Sequence, residues 1–397
     1  MTRSEGSASD ELQSSERSER DQHQGSASDE LQSSERSERD QHDVEHRVEE
    51  RIERRRRATP RFTDERVTMA HGAGGKASRK LVEGVFVAAF ANEMLSALGD
   101  AAVVDLDGAL VAITTDAFVV SPIRFPGGSI GELAVNGTVN DLAVSGARPV
   151  AITSSFILEE GVAADVVRDE AAAMADAARR AGVSIVAGDT KVVERGKADG
   201  LYVTTTGIGI PDPRAKLDLS AIVAGDVVVV SGPIGDHGVA IMLARGGLEL
   251  EADVRSDTAS VWPQVDALLD SCGADVRWMR DATRGGVATV LNELALGAEI
   301  SVMVDEGAVP VQGAVAAACE LLGIDPLYVA NEGRFVAVVA ADAAPAAIAA
   351  IEGAGGTGAC IIAEIGDEPP GRVLGRTAFG GHRMIDMLVG DPLPRIC

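Results

Sequence analysis

The sequence predicts two α/β domains that follow one another along the chain. The chain has 397 residues, of which 46% are hydrophobic and 24% are charged, so it is long enough for two large hydrophobic cores. From residue 61 onward, stretches typical of strands alternate with stretches typical of helices, an order characteristic of α/β domains. Two prolines, at positions 211 and 213, interrupt this alternation. We therefore predict an N-terminal domain over residues 61–213, a C-terminal domain over 214–385 and an extended, mobile tail over 386–397.

Hydrophobic periodicity and turn residues predict the elements of the N-terminal domain. A helix over 129–145 is expected to begin at a capping box formed by Ser129 and Glu132. An alanine-rich helix over 161–180 is expected to end at Gly182. Buried strands are predicted over residues 110–115, 152–158, 184–187 and 201–210.

The C-terminal domain shows the same alternation of strands and helices, although the sequence predicts fewer of its elements. A strand over 226–231 is followed by a glycine-rich turn, and a helix is predicted over 283–296. A second strand over 335–340 precedes a helix over 344–352.

Residues 1–60 have a different composition from the rest of the chain. Residues 6–23 recur unchanged as residues 25–42, and the segment is rich in Ser, Glu, Arg, Asp and Gln. Such a polar segment buries too little apolar surface to offset its ordering entropy. We predict a disordered low-complexity tail over 1–60 with an 18-residue duplication. An alternative is that the natural start lies nearer Met69.

The charge and cysteine content exclude several classes of protein. The net charge of −25 makes nucleic acid and anionic membrane surfaces poor partners. No apolar run is long enough to span a membrane. The four cysteines, Cys272, Cys319, Cys360 and Cys397, lack the paired spacing of zinc sites, so we predict a cytoplasmic protein without disulfides.

Four acidic segments lie at or near the ends of predicted strands and helices of the N-terminal domain. They contain Asp100, Asp116, Asp141 and Asp189. A single aspartate in such a segment is more often a turn-forming residue than a ligand. Carboxylates at the ends of strands also converge at one edge of a sheet, where they can hold Mg²⁺ against phosphates. The set of four therefore favours a metal site.

Glycine-rich turns before helices supply candidate sites for anions. Residues 71–76 contain Gly74 and Gly75 and precede a helical pattern over 77–90, which favours contact between backbone N–H groups and phosphate. The spacing does not match a Walker A loop. Residues 235–238 and 280–286 form similar turns in the second domain.

Lys191 is a candidate base because the chain holds few lysines and a desolvated lysine can lose its proton. The alternative is a solvated loop lysine. Glu332, before a predicted strand, offers a further carboxylate.

Taken together and in this order, the motifs resemble the HypE family of hydrogenase maturation factors. That family belongs to the superfamily of aminoimidazole ribonucleotide synthetase. The resemblance runs from about residue 67 to the C-terminus. It is carried by residues 71–76, 115–122, 125–131, 137–146, 156–161, 188–193, 235–238, 280–286, 331–333 and 394–397.

The resemblance implies a fold, a reaction and partners. The fold is a two-domain α/β (α+β) arrangement whose N-terminal domains pair into a dimeric β-barrel. The reaction is the ATP-dependent dehydration of a carbamoyl group on the sulfur of the C-terminal cysteine to a thiocyanate. A carbamoyltransferase, HypF, loads the cysteine, and a HypC–HypD complex receives the cyanide for the iron of [NiFe]-hydrogenase.

The resemblance also implies roles for individual residues. Cys397 becomes the covalent carrier, and Lys191 and Glu332 become a proton-handling or orienting pair in which either can be the base. The residues assigned to Mg²⁺ and ATP are Asp100, Asp116, Asp141 and Asp189 for the metal, and Gly74, Gly75, Asn140 and Thr190 for the nucleotide.

Two alternatives remain open from the sequence. The first is a small-molecule kinase or synthetase of the same superfamily, similar to thiamine monophosphate kinase. The second is a carrier without catalytic activity that only presents Cys397. The terminal cysteine argues against the first, and the acidic turns argue against the second.

Overall fold

The computed structural model describes residues 62–90, 92–96, 98–246, 253–377, 380–390 and 395–397. The predicted tail over 1–60 and its duplication lie outside these residues. So do the two tail prolines, Pro392 and Pro394.

The N-terminal lobe is built on a five-stranded sheet in the order β1-β2-β7-β5-β6. Only β5 and β6 run parallel, and the other neighbours are antiparallel. Its strands are β1 (Ala102–Leu106), β2 (Ala109–Phe118), β5 (Ala147–Glu159), β6 (Ser184–Val193) and β7 (Leu201–Pro211), with β3 (Arg124–Phe125) and β4 (Gly128–Ser129) forming a separate hairpin.

Two of the helices of this lobe, Ile130–Val144 and Ala164–Ala181, pack on one face of this sheet. The helices of the lobe are α1 (Lys76–Leu81), which continues through a π-helical stretch (Val82–Val87) to Ala88–Phe90, then α2 (Glu93–Ser96), α3 (Ile130–Val144) and α4 (Ala164–Ala181). The predicted helices over 77–90, 129–145 and 161–180 are confirmed, and α4 ends at Gly182 with φ +71°, as its sequence indicates.

The capping box predicted at the start of α3 is wrong. Ser129 is the N-cap residue, but its hydroxyl makes no capping hydrogen bond. The Glu132 carboxylate instead pairs with Arg180 of α4. The ion pair with α4 therefore replaces the local contact that the sequence pattern suggested.

Helix α3 connects the two lobes. It is buried on nearly all sides along almost its whole length, as expected of a helix enclosed by other elements. One side packs on β2, β5 and β7, and the other contacts α6 and β9 of the second lobe. This position carries Asp141, near the end of α3, to the place where the lobes meet.

The C-terminal lobe is built on a seven-stranded sheet in the order β14-β13-β10-β12-β8-β11-β9. Its strands are β8 (Val227–Val230), β9 (Val276–Asp281), β10 (Ser301–Asp305), β11 (Phe335–Val339), β12 (Cys360–Gly366), β13 (Arg372–Arg376) and β14 (His382–Met384). Its helices are α5 (Asp236–Ala244), α6 (Trp262–Cys272), α7 (Gly286–Ala298), α8 (Gly313–Leu322) and α9 (Ala344–Gly353). Short 3₁₀ turns occur at Met69–Gly72, Leu219–Ala221, Gly273–Asp275 and Pro326–Tyr328.

The other face of the five-stranded sheet is apolar and exposed. Leu106, Ile113 and Ile157 lie on this face and are 57%, 37% and 38% exposed. Ile208 and Ile210 of β7 lie beside them and are 38% and 48% exposed. A continuous exposed apolar surface of this kind is typical of an interaction site.

The turn between β9 and α7 requires glycine. Gly286 has φ +61°, and a Cβ placed there would lie 2.5 Å from the Leu327 carbonyl oxygen and 2.7 Å from that of Val329. Both the backbone conformation and the lack of space exclude a side chain. The tight turn directs the residues that precede α7 toward the join between the lobes.

We expect Gly286→Ala to lower the free energy of unfolding by about 2–4 kcal/mol, because it combines a left-handed conformation with a steric clash. Gly353→Ala is the matched control, since nothing lies within 4 Å of the added methyl group. Urea unfolding of both variants measures the difference, and equal stabilities would contradict this account of the turn.

Candidate active site

A cavity of about 370 Å³ lies where the two lobes meet. Its walls come from the glycine-rich loop before α1, from β2 and α3, from the turn between β9 and α7, and from the end of the chain. Predicted site residues on its walls are Gly74, Asp100, Asp116, Asp141, Glu332 and Cys397. The two lobes thus contribute jointly to one site.

Three carboxylates form the centre of this site. Single oxygen atoms of Asp100, Asp141 and Asp281 all lie within 4.8 Å of one another. Asp116, on β2, lines the same cavity. Hard oxygen ligands from several carboxylates are the donors that Mg²⁺ binds in proteins, so this set fits a divalent cation.

Burial and like charge disfavour ionisation of this cluster. Burial raises the pKa of Asp100 to about 6, against an opposing effect of Arg280. Burial, and then the charges of Asp116, Asp281 and Asp100, raise the pKa of Asp141 well above its usual value, while the Thr114 hydroxyl donates to it at 2.7 Å. Burial and the Asp100 charge raise the pKa of Asp281 in the same way. A bound cation would offset this repulsion.

Two arginines, one near the end of β9 and one in the turn that follows it, face the acidic cluster. Arg280 Nε lies 3.0 Å from Asp100 Oδ1. Arg284 donates to the Gly72 carbonyl at 3.0 Å, and its pKa is raised chiefly by the negative charge of Cys397. Guanidinium groups in this position suit the phosphates of a nucleotide.

The glycine-rich loop packs closely against these elements. Gly74 has φ +82°, and a Cβ there would lie 2.7 Å from Arg284 Cβ. Gly75 lies against Leu388, whose carbonyl accepts from Lys76 N at 2.8 Å, and Gly75 is not among the cavity residues. Gly74 is therefore the loop glycine that reaches the cavity.

Glu332 lies in the cavity wall and is buried. Its main-chain N–H donates to Asp257 Oδ1 at 3.0 Å, and its Oε1 has no hydrogen-bond partner among the described residues. Burial, followed by the charges of Asp281 and Asp257, raises its pKa well above the usual value. The side chain is thus a buried carboxyl group that is available to a ligand.

Asn140 supports Glu332 from outside the cavity. Its amide nitrogen donates to the carbonyl oxygens of Glu332 (3.1 Å) and Ala259 (3.0 Å), and its oxygen accepts from Val261 N at 2.8 Å. These bonds satisfy the amide within the protein. The structure therefore gives Asn140 a positioning role, whereas the resemblance implied contact with the nucleotide.

Asp189, Thr190 and Lys191 lie away from this cavity. They belong to β6, which extends beyond the predicted strand over 184–187, so they do not form the turn that the sequence suggested. Asp189 pairs with Lys191, and both are exposed. Pairing of β6 with β5 explains the difference, because the ladder runs as far as Val193.

The end of the chain is docked into the site. Cys397 lines the cavity, and its main-chain oxygen accepts from Val119 N at 3.0 Å. Ile396 is 2% exposed and belongs to a hydrophobic core formed by residues of both lobes. The structure thus shows residues 395–397 in a bound position, and the mobility expected for the tail stays a prediction.

Sequence reasoning missed Asp281 as a member of the acidic cluster. The motif over 280–286 was interpreted only as an anion-binding turn. The signal was present, because Asp281 ends a strand in the same way that Asp116 lies near the end of β2. Three of the six residues of β9 are charged and they do not alternate with apolar ones, so the strand has no clear sequence pattern.

Comparisons with known proteins identify the family. Two family models match, AIR synthase related protein, N-terminal domain, over residues 98–211, and AIR synthase related protein, C-terminal domain, over residues 223–375. Carbamoyl dehydratase HypE of Rhodobacter capsulatus is 48% identical over 338 residues, which cover 84% of this chain and 99% of that protein. The chain belongs to the HypE family of carbamoyl dehydratases. The family expected from the motifs is therefore confirmed.

Solved structures agree with this assignment. A HypE–HypF complex matches with a TM-score of 0.74 and 42% identity, covering 78% of this chain and 99% of that one. A HypE structure in complex with ATP matches with a TM-score of 0.69 and 43% identity, covering 84% and 100%. The two-domain fold predicted from the resemblance is confirmed.

Among the described residues, no helix combines the length and the apolar character needed to span a bilayer.

Asp141→Asn is expected to stabilise the metal-free protein by about 1–3 kcal/mol, because it removes one buried negative charge and keeps the hydrogen bond from Thr114. A carboxyl group whose pKa is higher in the folded protein than in the unfolded protein destabilises the fold at every pH above its unfolded-state pKa. The gain should therefore be largest near pH 8 and should shrink as the pH falls toward 4.

Thermal unfolding with and without Mg²⁺ measures both parts of this prediction. Mg²⁺ should raise the Tm of the wild type more than that of Asp141→Asn. The surface variant Asp367→Asn is the control and should keep the wild-type response. An undiminished response to Mg²⁺ in Asp141→Asn would remove this residue from the metal site.

Proposed function

We propose that this protein uses ATP to dehydrate a carbamoyl group carried on the sulfur of its own Cys397, giving a thiocyanate that supplies cyanide for hydrogenase maturation. The observation that carries the proposal is the position of Cys397 in the cavity that also holds the acidic cluster and Arg284. A substrate attached to this sulfur would lie at the site without diffusing there, which raises its effective concentration.

The proposed reaction balances in two steps. The amide oxygen of R–S–C(=O)–NH₂ attacks the γ-phosphorus of ATP and the nitrogen gives up one of its two protons, so ADP leaves and an O-phosphoryl imidate, R–S–C(=NH)–O–PO₃²⁻, forms. Loss of the remaining N–H proton to a base then breaks the C–O bond, releases phosphate and leaves R–S–C≡N. Most of the required catalysis is positioning and charge stabilisation.

The acidic cluster and the arginines fit the phosphate chemistry. When bound at Asp100, Asp141 and Asp281, with Asp116 beside them, Mg²⁺ would neutralise the charge of the phosphates. Arg284 is close enough to Cys397 for the two charges to interact, so it can stabilise charge on the transferred phosphoryl group. Gly74 keeps the loop close to this arginine.

Glu332 is the base that the geometry favours within one chain. It is buried in the cavity wall and has an unpartnered carboxyl oxygen. Its raised pKa makes the ionised carboxylate a stronger proton acceptor than an ordinary glutamate. Asn140 and Asp257 hold its main chain in place.

A homodimer explains the exposed face of the five-stranded sheet. Ile113, Ile157 and their apolar neighbours would be buried if two such sheets faced each other as a dimeric β-barrel. Burial of apolar area of this kind is the main driving force for subunit association.

The proposed dimer would also place Lys191 near an active site. In its own chain Lys191 lies on the exposed strand β6, outside the cavity. If the family role of Lys191 holds, Asp189, Thr190 and Lys191 act at the cavity of the partner subunit. Each complete site then contains Cys397 from one chain and Lys191 from the other.

The proposed partners follow from the chemistry of Cys397. A HypF carbamoyltransferase would load the thiol, and a HypC–HypD complex would accept the cyanide. The structural neighbour in complex with HypF supports the first partner. A free thiol as carrier suits a reducing compartment, for which the cytoplasm is the proposal.

Cys397→Ala should abolish thiocyanate formation and leave folding and ATP binding intact. Extra residues appended after Cys397 should slow the reaction by about tenfold or more, because the chain end is docked in the cavity. A Gly-Ser insertion after Gly390 is the control and should have a smaller effect.

The measurement is intact mass after incubation with ATP, HypF and carbamoyl phosphate. The wild type should gain a carbamoyl group and then lose the mass of water. Thiocyanate on Cys397→Ala would disprove the assignment of the carrier. Carbamoylation without ATP-dependent loss of water would favour a carrier without catalytic activity.

Mixing two inactive variants tests the shared site. Cys397→Ala and Lys191→Ala should each be inactive or nearly so as homodimers. After subunit exchange the mixture should regain about a quarter of the wild-type rate, because about half of the dimers are mixed and each holds one complete site. A mixture as inactive as its components, with exchange verified by mass, would contradict the contribution of Lys191 across the dimer.

A further inference from the structure

The docked end of the chain is held mainly through its backbone. Residues 395–397 run antiparallel to residues 119–121, with Val119 N donating to the Cys397 main-chain oxygen at 3.0 Å and Ser121 N donating to the Arg395 carbonyl at 3.3 Å. Between these bonds, Ile396 inserts its side chain into the core. Arg395 has φ +60°, a bend that turns the last two residues inward.

His237 binds the carbonyl between these two bonds. It lies at the start of α5 and is fully buried, with Nε2 2.6 Å from the Ile396 carbonyl oxygen and Nδ1 2.8 Å from Ser256 Oγ. The Phe125 ring packs edge-on against the imidazole at 5.5 Å. Neither the acidic cluster nor the proposed catalytic groups include this histidine.

The neighbours of His237 determine its tautomer. A carbonyl oxygen only accepts, so Nε2 must carry a proton and donate it to Ile396. Burial lowers the pKa of His237, which keeps the ring neutral. Nδ1 then accepts from the Ser256 hydroxyl. When the terminal segment leaves, the Nε2–H group loses its protein acceptor in a buried position, which is unfavourable.

A second set of contacts closes over the segment at the surface. Arg245, at the end of α5, donates from Nε to the Ser121 carbonyl at 2.7 Å and from Nη2 to the Arg395 carbonyl at 2.5 Å. Arg395 in turn donates to the Val119 carbonyl at 3.2 Å and to Asp199 Oδ2 at 2.6 Å. Helix α5 therefore contacts the terminal segment at both of its ends.

We propose that His237 and Arg245 form a latch, in which two positioning residues on α5 hold the docked terminal segment by its carbonyl groups. The latch sets how often Cys397 leaves the cavity. The use of that departure for loading by a second protein rests on the proposed function, whereas the latch itself rests on the contacts of residues 395–397.

The carbonyl contacts make the latch independent of what the sulfur carries. Both residues bind main-chain carbonyl groups, which free, carbamoylated and cyanated segments have in common. The latch would then hold the segment equally well before and after the reaction. Its hydrogen bonds must be strong enough to dock the segment and weak enough to let it leave.

The test measures how fast iodoacetamide modifies Cys397 under native conditions, with the C-terminal peptide quantified by mass spectrometry. His237→Phe removes the donor and should raise the rate about five- to tenfold, the effect of losing one hydrogen bond. His237→Gln retains an N–H group at the position of Nε2 and should restore a rate near that of the wild type.

Arg245→Met provides a second variant at an exposed position, where loss of folding is not expected. It should raise the rate by a similar factor. Arg179→Met is the matched control on the exposed surface of α4 and should leave the rate unchanged.

Wild-type rates in folded Arg245→Met and His237→Phe would overturn the latch, and so would failure of His237→Gln to restore protection. If His237→Phe does not fold, Arg245→Met alone decides between these outcomes. Absence of thiocyanate in the wild type would defeat the proposed function and leave the labelling result unaffected.

Discussion

Repulsion among buried carboxylates is the constraint on which the rest of this site depends. Asp100 and Asp141 come from the N-terminal lobe and Asp281 comes from the other, so the repulsion acts across the join between the lobes. The apolar packing of α3 against both lobes opposes it. The fold therefore holds together an arrangement that is unfavourable without a cation, as functional sites commonly do.

Much of the fold could be predicted from local sequence patterns. Hydrophobic periodicity and helix-ending glycines depend on interactions between residues that are close in the sequence. The helix that ends at Gly182 is an example. Predictions that depended on distant partners were less successful. The expected capping box at Ser129 is replaced by an ion pair between Glu132 and Arg180, which are 48 positions apart. Strand β9 holds three charged residues without regular alternation, so the pattern does not predict it, and Asp281 was missed with it.

The same holds for the site: residues whose position depends on local structure were predicted, and those whose role depends on distant contacts were not. The positions of Asp100, Asp116 and Asp141 at or near the ends of elements predicted correctly that they lie near one another, because those elements end at the cavity. Lys191 was recognised by its residue type, but no pattern in a single chain shows that it lies on an exposed edge strand. The apolar face beside it supplies the missing information, since a surface of that kind calls for a second sheet.

The energetics of the chain end suit a segment that must both dock and leave. Burial of Ile396 stabilises the docked state by about 2–3 kcal/mol, and its backbone hydrogen bonds contribute about 1 kcal/mol each. Ordering the backbone of residues 395–397 costs about 1–2 kcal/mol per residue, and the side chains of Arg395 and Ile396 cost about 1–2 kcal/mol more. These opposing contributions agree to within a few kcal/mol. Because the free energies of docking and release nearly cancel, two hydrogen bonds from α5 are enough to decide whether the terminal segment is docked or released.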